Sequence, residues 1–286
     1  MKIPFRSLLA LATITVGLCP ALADTQDCGE DAKAVLSQAY PSAQPDADGT
    51  RLLLDGHIAI ELPADDAGSA HAVVCKIWPA QPGLTLIAVP LIDTRQSGDD
   101  QTIGDLDLLV VDAKTRQIRQ RLRQPGLMSD NAITISTLAF DTSVYRLRPD
   151  VPAFGLRRVI VNKSARTPFN ETDLWLYAIE NGELHSVLDK LAVATNAGAN
   201  NDDCTGQSES SQVTLSMGGA VRNGHRDIIA TSKVTEEADH PGKNGACVTK
   251  TTGHSTRIYR LGYDGKHYII PKPLRASDVE KPDAKP

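Results

Sequence analysis

Four oxygen-bearing side chains stand together in the loop NAGANNDDCTG: Asn200, Asn201, Asp202 and Asp203. Carboxylate and amide oxygens at that density suit calcium, which takes six to eight oxygen ligands. The order Asp-x-Asx-x-Asx-Gly of a calcium loop is absent, and Asx-rich loops are ordinary turn chemistry. Calcium is therefore considered and not favoured, and no other cofactor is expected. PDADG, residues 45–49, holds two acids and a glycine and reads as a turn for the same reason. The histidines are dispersed. His57 and His185 sit inside strand-like patterns, and His225, His240 and His254 lie in or beside segments of the last third. There is no His-Glu-x-x-His pair and no Cys-x-x-Cys or Cys-x-x-His spacing, so no metal site is nominated.

Nucleophilic catalysis is as poorly served. A Gly-x-Ser-x-Gly elbow is missing, and the Ser-His neighbours in TGHST and AGSAH mean little, because triad partners meet in space. Asp99 and Asp100 take no glycosidase role, since that chemistry depends on a spatial separation of carboxyl groups. Aromatic side chains are few, at 4% of the chain. Trp175, Tyr177, Tyr259, Tyr263 and Tyr268 fall in corresponding hairpins and are expected to fill inter-strand space. No catalytic residue is nominated.

Compartment is easier to read. Lys2 and Arg6 precede an apolar run from Leu8 to Leu18, and Ala21 and Ala23 supply the small residues of a cleavage site. The run is too short to span a bilayer, where about 20 residues are needed. Residues 1–23 are thus expected to be a signal peptide and the mature chain periplasmic or secreted, without membrane insertion. Loss of two cations takes the formal charge from −5 to −7, which argues against nucleic acid and anionic membranes as partners. Cys28, Cys75, Cys204 and Cys247 then remain, an even count that suggests disulfides. Local pairing, Cys28–Cys75 and Cys204–Cys247, needs no crossing of the chain and is the expected pattern.

The elements that would position these residues are strands. RLLLDGHIAIELP turns on Asp55-Gly56, DLWLYAIENGELHSV on Asn181-Gly182 and TRIYRLGYDGKHYII on Asp264-Gly265. Asx-Gly between alternating strands is a strong hairpin signal. DLDLLVVDAKTRQIRQRLR, residues 105–123, has the same shape with a longer turn. Further strands precede the last three hairpins, giving four-stranded units at about 71–123, 132–190 and 211–270. ELHSVLDKLAVA has helix-like spacing but follows Asn-Gly, and reads as strand. A polar stretch, Thr235–Ser255, lengthens the third unit and reads as an inserted loop. One short helix fits Cys28–Pro41. Residues 24–270 form one domain, and the Pro- and charge-rich residues 271–286 are expected to be a disordered tail. The fold class is all-β: repeated four-stranded antiparallel meanders, propeller-like or a twisted sandwich, with one N-terminal helix.

IGDLDLLVVD at 103–112 and RNGHRDIIAT at 222–231 resemble the ends of FG-GAP or VCBS-type β-propeller repeats, over about 20 residues. The resemblance implies a propeller-like scaffold used for binding. The family's calcium loop places several Asp or Asn residues before its glycine. GGAVRNG offers only Asn223, so calcium is not carried over. These observations point to a non-catalytic exported envelope protein that holds or inhibits another protein. The alternative is a propeller-like secreted hydrolase with dispersed catalytic residues. The expected contact surface joins Asn200, Asn201, Asp202 and Asp203 to His240 and His254 through a Cys204–Cys247 bridge.

Overall fold

A computed structural model of the chain describes residues 29–63, 69–99, 101–201, 203–243 and 245–277. The expected signal peptide, Cys28 and Asp202 lie outside the described residues. A helix, α1 (Gly29–Ala39), is followed by β1 (Gln44–Pro45), β2 (Arg51–Leu54), β3 (Ile58–Glu61), β4 (Val74–Ile77), β5 (Leu84–Asp93), β6 (Gly104–Asp112) and β7 (Ile118–Gln124). These seven strands form one antiparallel sheet in the order β1-β2-β3-β5-β6-β7, with β4 also on β5. The second sheet contains β8 (Thr134–Arg148), β9 (Val151–Asn162), β10 (Phe169–Glu180), β11 (Glu183–Ala199), β12 (Gln207–Arg222), β13 (His225–Pro241) and β14 (Cys247–Leu261). Its spatial order is its chain order, an uninterrupted antiparallel meander.

The fold is thus all-β, with one short helix and no closed barrel. Of the two arrangements left open, the sandwich is the one adopted. Units expected at 132–190 and 211–270 are not separate blades, because β11 pairs with β12 from Ala194↔Gln212 to Ala199↔Gln207 and joins them into one sheet.

Period-two alternation explains how the layers assemble. On β5 and β6, Leu86, Ala88, Leu106, Leu108 and Val110 face the second sheet, against Phe140, Phe154, Leu156, Trp175 and Tyr177. Their neighbours Ile87, Val89, Leu109 and Val111 face the other way, onto Ala32, Val35, Leu36 and Tyr40 of α1. The centre of the first sheet, β5 and β6, is therefore buried on both faces. Trp78 meets Phe154 edge-on at 5.1 Å, and Phe154 stacks on Tyr177 at 5.6 Å. On the far side of the second sheet, Leu174, Leu176, Val187, Leu188 and Leu191 pack with Ile228, Ala230 and Leu261. Tyr145 and Leu147 of β8 join the same cluster, so the long sheet curls over it.

Turn chemistry falls where the sequence placed it. Asn181 and Gly182 both take positive φ, 52° and 81°, as a two-residue hairpin turn requires. At Asp264-Gly265 the second arm is reduced to one bridge, Tyr263↔Tyr268. ELHSVLDKLAVA is strand, and its helix-like spacing has a physical cause. Register slips opposite Leu174–Tyr177, and Lys190 adopts a φ of 44°, so Val187, Leu188 and Leu191 all point inward.

Two expectations are corrected. Thr235–Ser255 is not an inserted loop but paired strand, running from Thr235↔His254 to Pro241↔Cys247. Both faces of this ribbon are largely in water, so it lacks the apolar alternation by which strands are recognised. Residues 271–277, expected in the disordered tail, are packed. Leu274 is buried, Leu191 bridges to Arg275, and Lys190 Nζ donates to the Ser277 carbonyl at 2.9 Å.

That C-terminal strap covers Glu171, which is 2% exposed. Ser277 donates its N–H and O–H to the Glu171 carboxylate at 2.8 and 3.0 Å. Burial still pushes the carboxyl up to about 6, with the charge of Asp173 adding to it. The folded chain thus holds this proton more tightly than the unfolded chain does. Stability contributed by Glu171 is present below the unfolded value near 4.5 and falls by roughly 2 kcal/mol as pH rises through about 6. Urea unfolding at pH 4.5 and 7 should show this decline in the parent and a flatter profile in Glu171→Gln. Identical profiles would refute it.

Candidate functional site

One end of the second sheet gathers most of the residues nominated from sequence. Cys204 and Cys247 form a disulfide with Cα atoms 5.2 Å apart, tying the β11–β12 loop to the start of β14. Cys75, on β4, is also disulfide-bonded. The polar side chains of the loop tie it to the neighbouring β9–β10 connection and shape its own turn. Asn200 donates from Nδ2 to the Ala165 carbonyl at 3.0 Å. Asn201 donates to Thr205 Oγ1 at 3.0 Å, and the Thr205 hydroxyl donates to Asp203 Oδ1 at 2.6 Å. Among the described residues, no group of three or more His, Cys, Asp or Glu is placed to hold a metal.

His240 lies at the same tip, opposite Val248 and next to the Pro241↔Cys247 pair. His254 does not. It pairs with Thr235, whose Oγ1 is 3.3 Å from its Nδ1. Thr235 and His240 are five positions apart on β13, about 17 Å, and an odd separation puts them on opposite faces. The structure therefore brings Asn200, Asn201, Asp203 and His240 to one end and leaves His254 on the other side of the ribbon.

Beside the tip, Ala197, Gly198, Gln207, Glu209, Glu236 and Glu237 line an open groove of about 590 Å³. Glu209 and Glu236 are direct cross-strand partners, an arrangement that costs stability between like charges. β14 has the opposite character. It carries Lys250, His254, Arg257 and Arg260 and no acid. It is the outermost strand of the sheet, and of its fifteen residues all but Gly253, Tyr259 and Leu261 are exposed.

At the opposite end, three turns bring together a cluster that sequence reasoning missed. Glu180 Oε1 lies 3.0 Å from His225 Nε2 and 3.3 Å from Arg148 Nη1, and Oε2 lies 3.2 Å from His185 Nε2. His225 is 2% exposed and its ring lies 4.0 Å from that of Tyr263. Burial, followed by the charges of Glu180 and Asp264, raises the Tyr263 phenol. A signal was present: Glu180 immediately precedes Asn181-Gly182, and His225 immediately follows Asn223-Gly224, so the residues flank turns at one sheet end.

A second missed pattern is a set of fully buried aspartates, Asp107, Asp173 and Asp227, each at the head of an apolar run. Tyr40 donates its hydroxyl to Asp107 at 2.7 Å, and Arg121 Nε and Arg123 Nη2 donate at 3.0 and 3.1 Å. Burial alone would raise this carboxyl, but the hydrogen bonds from Arg123, Tyr40 and Arg121 hold it below its ordinary value. Arg158 pairs with Asp173 at 2.9 Å. Arg222 and Arg260 approach Asp227 at 3.3 and 3.5 Å. Asp107 and Asp227, in segments 103–112 and 222–231, thus both face guanidinium groups. Compared with known proteins, the chain matches no family model, no curated protein and no solved structure.

Proposed function

We propose that this is an exported, non-catalytic binding protein of the cell envelope, holding or inhibiting another protein through the disulfide-tied end of its second sheet. The observation behind this reading is the β13–β14 ribbon. Beyond Thr235 and Ser255 none of its described residues is buried, those of β13 being half-buried or exposed and those of β14 nearly all exposed, so they serve little core of their own, yet Cys204–Cys247 fixes them to the neighbouring loop. A disulfide also suits an oxidising compartment. No helix among the described residues is long and apolar enough to cross a membrane.

The hydrolase alternative has one observation in its favour, the convergence of Glu180, His185 and His225. Two features count against it. His225 is buried rather than offered to a substrate, and its Nε2 is already engaged by Glu180.

Replacing residues 238–250 with Asn-Gly would close the hairpin between the paired Glu237 and Thr251. Combined with Cys204→Ser, this variant should keep the β-sheet circular dichroism and lose capture of a discrete partner from envelope extract. Full capture by the shortened chain would place the contact elsewhere. Turnover of ester, glycoside or phosphate substrates that Glu180→Gln abolishes would favour the hydrolase.

A further inference from the structure

We infer that β14 is a docking edge that takes up an extended, acidic segment of a partner protein as an additional antiparallel or parallel strand. This deepens the binding reading above and rests on it. As the last strand of its sheet, β14 leaves one row of backbone N–H and C=O groups without a neighbouring strand among the described residues, the template used in strand addition. At fifteen residues it is long for an edge, and β14 contains no proline. Ile258, 72% exposed, and Val248 offer apolar contacts along it.

Charge selects the occupant. The whole chain is acidic, at −5, yet β14 carries four cationic or titratable basic residues and no acid. Their charge is little used inside the protein. Lys250 lies opposite Ala238, Arg257 opposite Ser232 and His254 opposite Thr235. The acids of β13 sit opposite neutral residues instead, Glu236 across from Gly253 and Glu237 across from Thr251. Of the four, only Arg260 has an ion-pair partner among the described residues, Asp227. A second copy of β14 would set cations against cations, which is unfavourable in cross-strand pairs. An acidic strand meets the same row with opposite charge and gains both steering and register.

The probe is a synthetic ten-residue peptide alternating glutamate with valine or threonine. Its lysine counterpart and a version with two interior prolines serve as comparisons, all titrated against the oxidised full-length mature protein. The acidic peptide should bind, and more weakly as salt rises. The lysine and proline peptides should not bind. Lys250→Glu with Arg257→Glu should weaken the acidic peptide about tenfold or more, equivalent to about 1.4 kcal/mol.

Ser255→Pro and Thr256→Pro separate backbone from charge. Adjacent residues of an antiparallel strand point their N–H groups to opposite sides, so one of these variants removes an outward N–H. The variant that retains the parent melting temperature should lose the peptide. Equal binding of the proline peptide, or of the lysine peptide, would overturn the inference, as would concentration-dependent dimerisation abolished by Lys250→Glu. Partner capture lost on shortening the ribbon but intact in Lys250→Glu/Arg257→Glu would refute the acidic-strand proposal and leave the binding reading standing.

Discussion

Replacing Arg158 with alanine is expected to lower the unfolding free energy by about 3–5 kcal/mol, because it strands a buried charge. Arg158 and Asp173 are both fully buried. The guanidinium also donates to the Leu127 carbonyl at 2.7 Å and lies 5.0 Å from the Trp175 ring centre. The change therefore leaves a carboxylate and a carbonyl without their donor and opens space beside an indole. Arg158→Met combined with Asp173→Leu removes both charges and should recover most of the loss, as buried pairs often tolerate apolar replacement. Urea midpoints for the parent and the two variants test this. A cost below about 1 kcal/mol for Arg158→Ala, in the range of an exposed pair, would show that the core does not depend on the pair.

Opening the Cys204–Cys247 bridge by serine substitution at both positions should cost roughly 4 kcal/mol against global unfolding. That figure is the chain-entropy value for a loop closed across 43 residues. Substitution isolates this bridge, whereas a reducing agent would also attack the disulfide at Cys75. Loss of less than about 1 kcal/mol in urea unfolding would mean that the bridge shapes the ribbon end without restricting the unfolded chain. Production in a reducing cytoplasm should mimic the combined loss of both bridges.

Strand content and turn positions were legible because both are local. Asn181-Gly182 needs only two residues to declare itself, and the alternation on either side of it marks the strands. The union of the second and third units was not legible, since nothing near Ala194 or Gln212 announces that those residues pair. The ribbon from Thr235 to Ser255 escaped for a different reason. Strand patterns are records of burial, and a strand wet on both faces leaves no record. His240 and His254 fall within one polar segment that the Cys204–Cys247 bridge tethers, but a paired strand alternates faces and sets them apart. Glu180, His185 and His225 went unread for the converse reason. They come from three strands and meet only because every second turn of a meander lies at the same end.

The arrangement of the two sheets has a kinetic consequence. All strands of the first sheet precede residue 125 and all strands of the second follow residue 133, with no strand exchanged between them. Pairings in the second sheet join chain neighbours, which keeps loop-closure costs low for a β protein and favours rapid hairpin-by-hairpin growth. A chain emerging N-terminus first could complete every hydrogen bond of its first sheet before the second existed. The face carrying Trp78, Leu86, Leu106 and Leu108 would stay wet until β8, β9 and β10 arrived to cover it. During that interval the nascent chain presents a finished sheet with one bare apolar side, the form in which it is most exposed to aggregation and most in need of a chaperone.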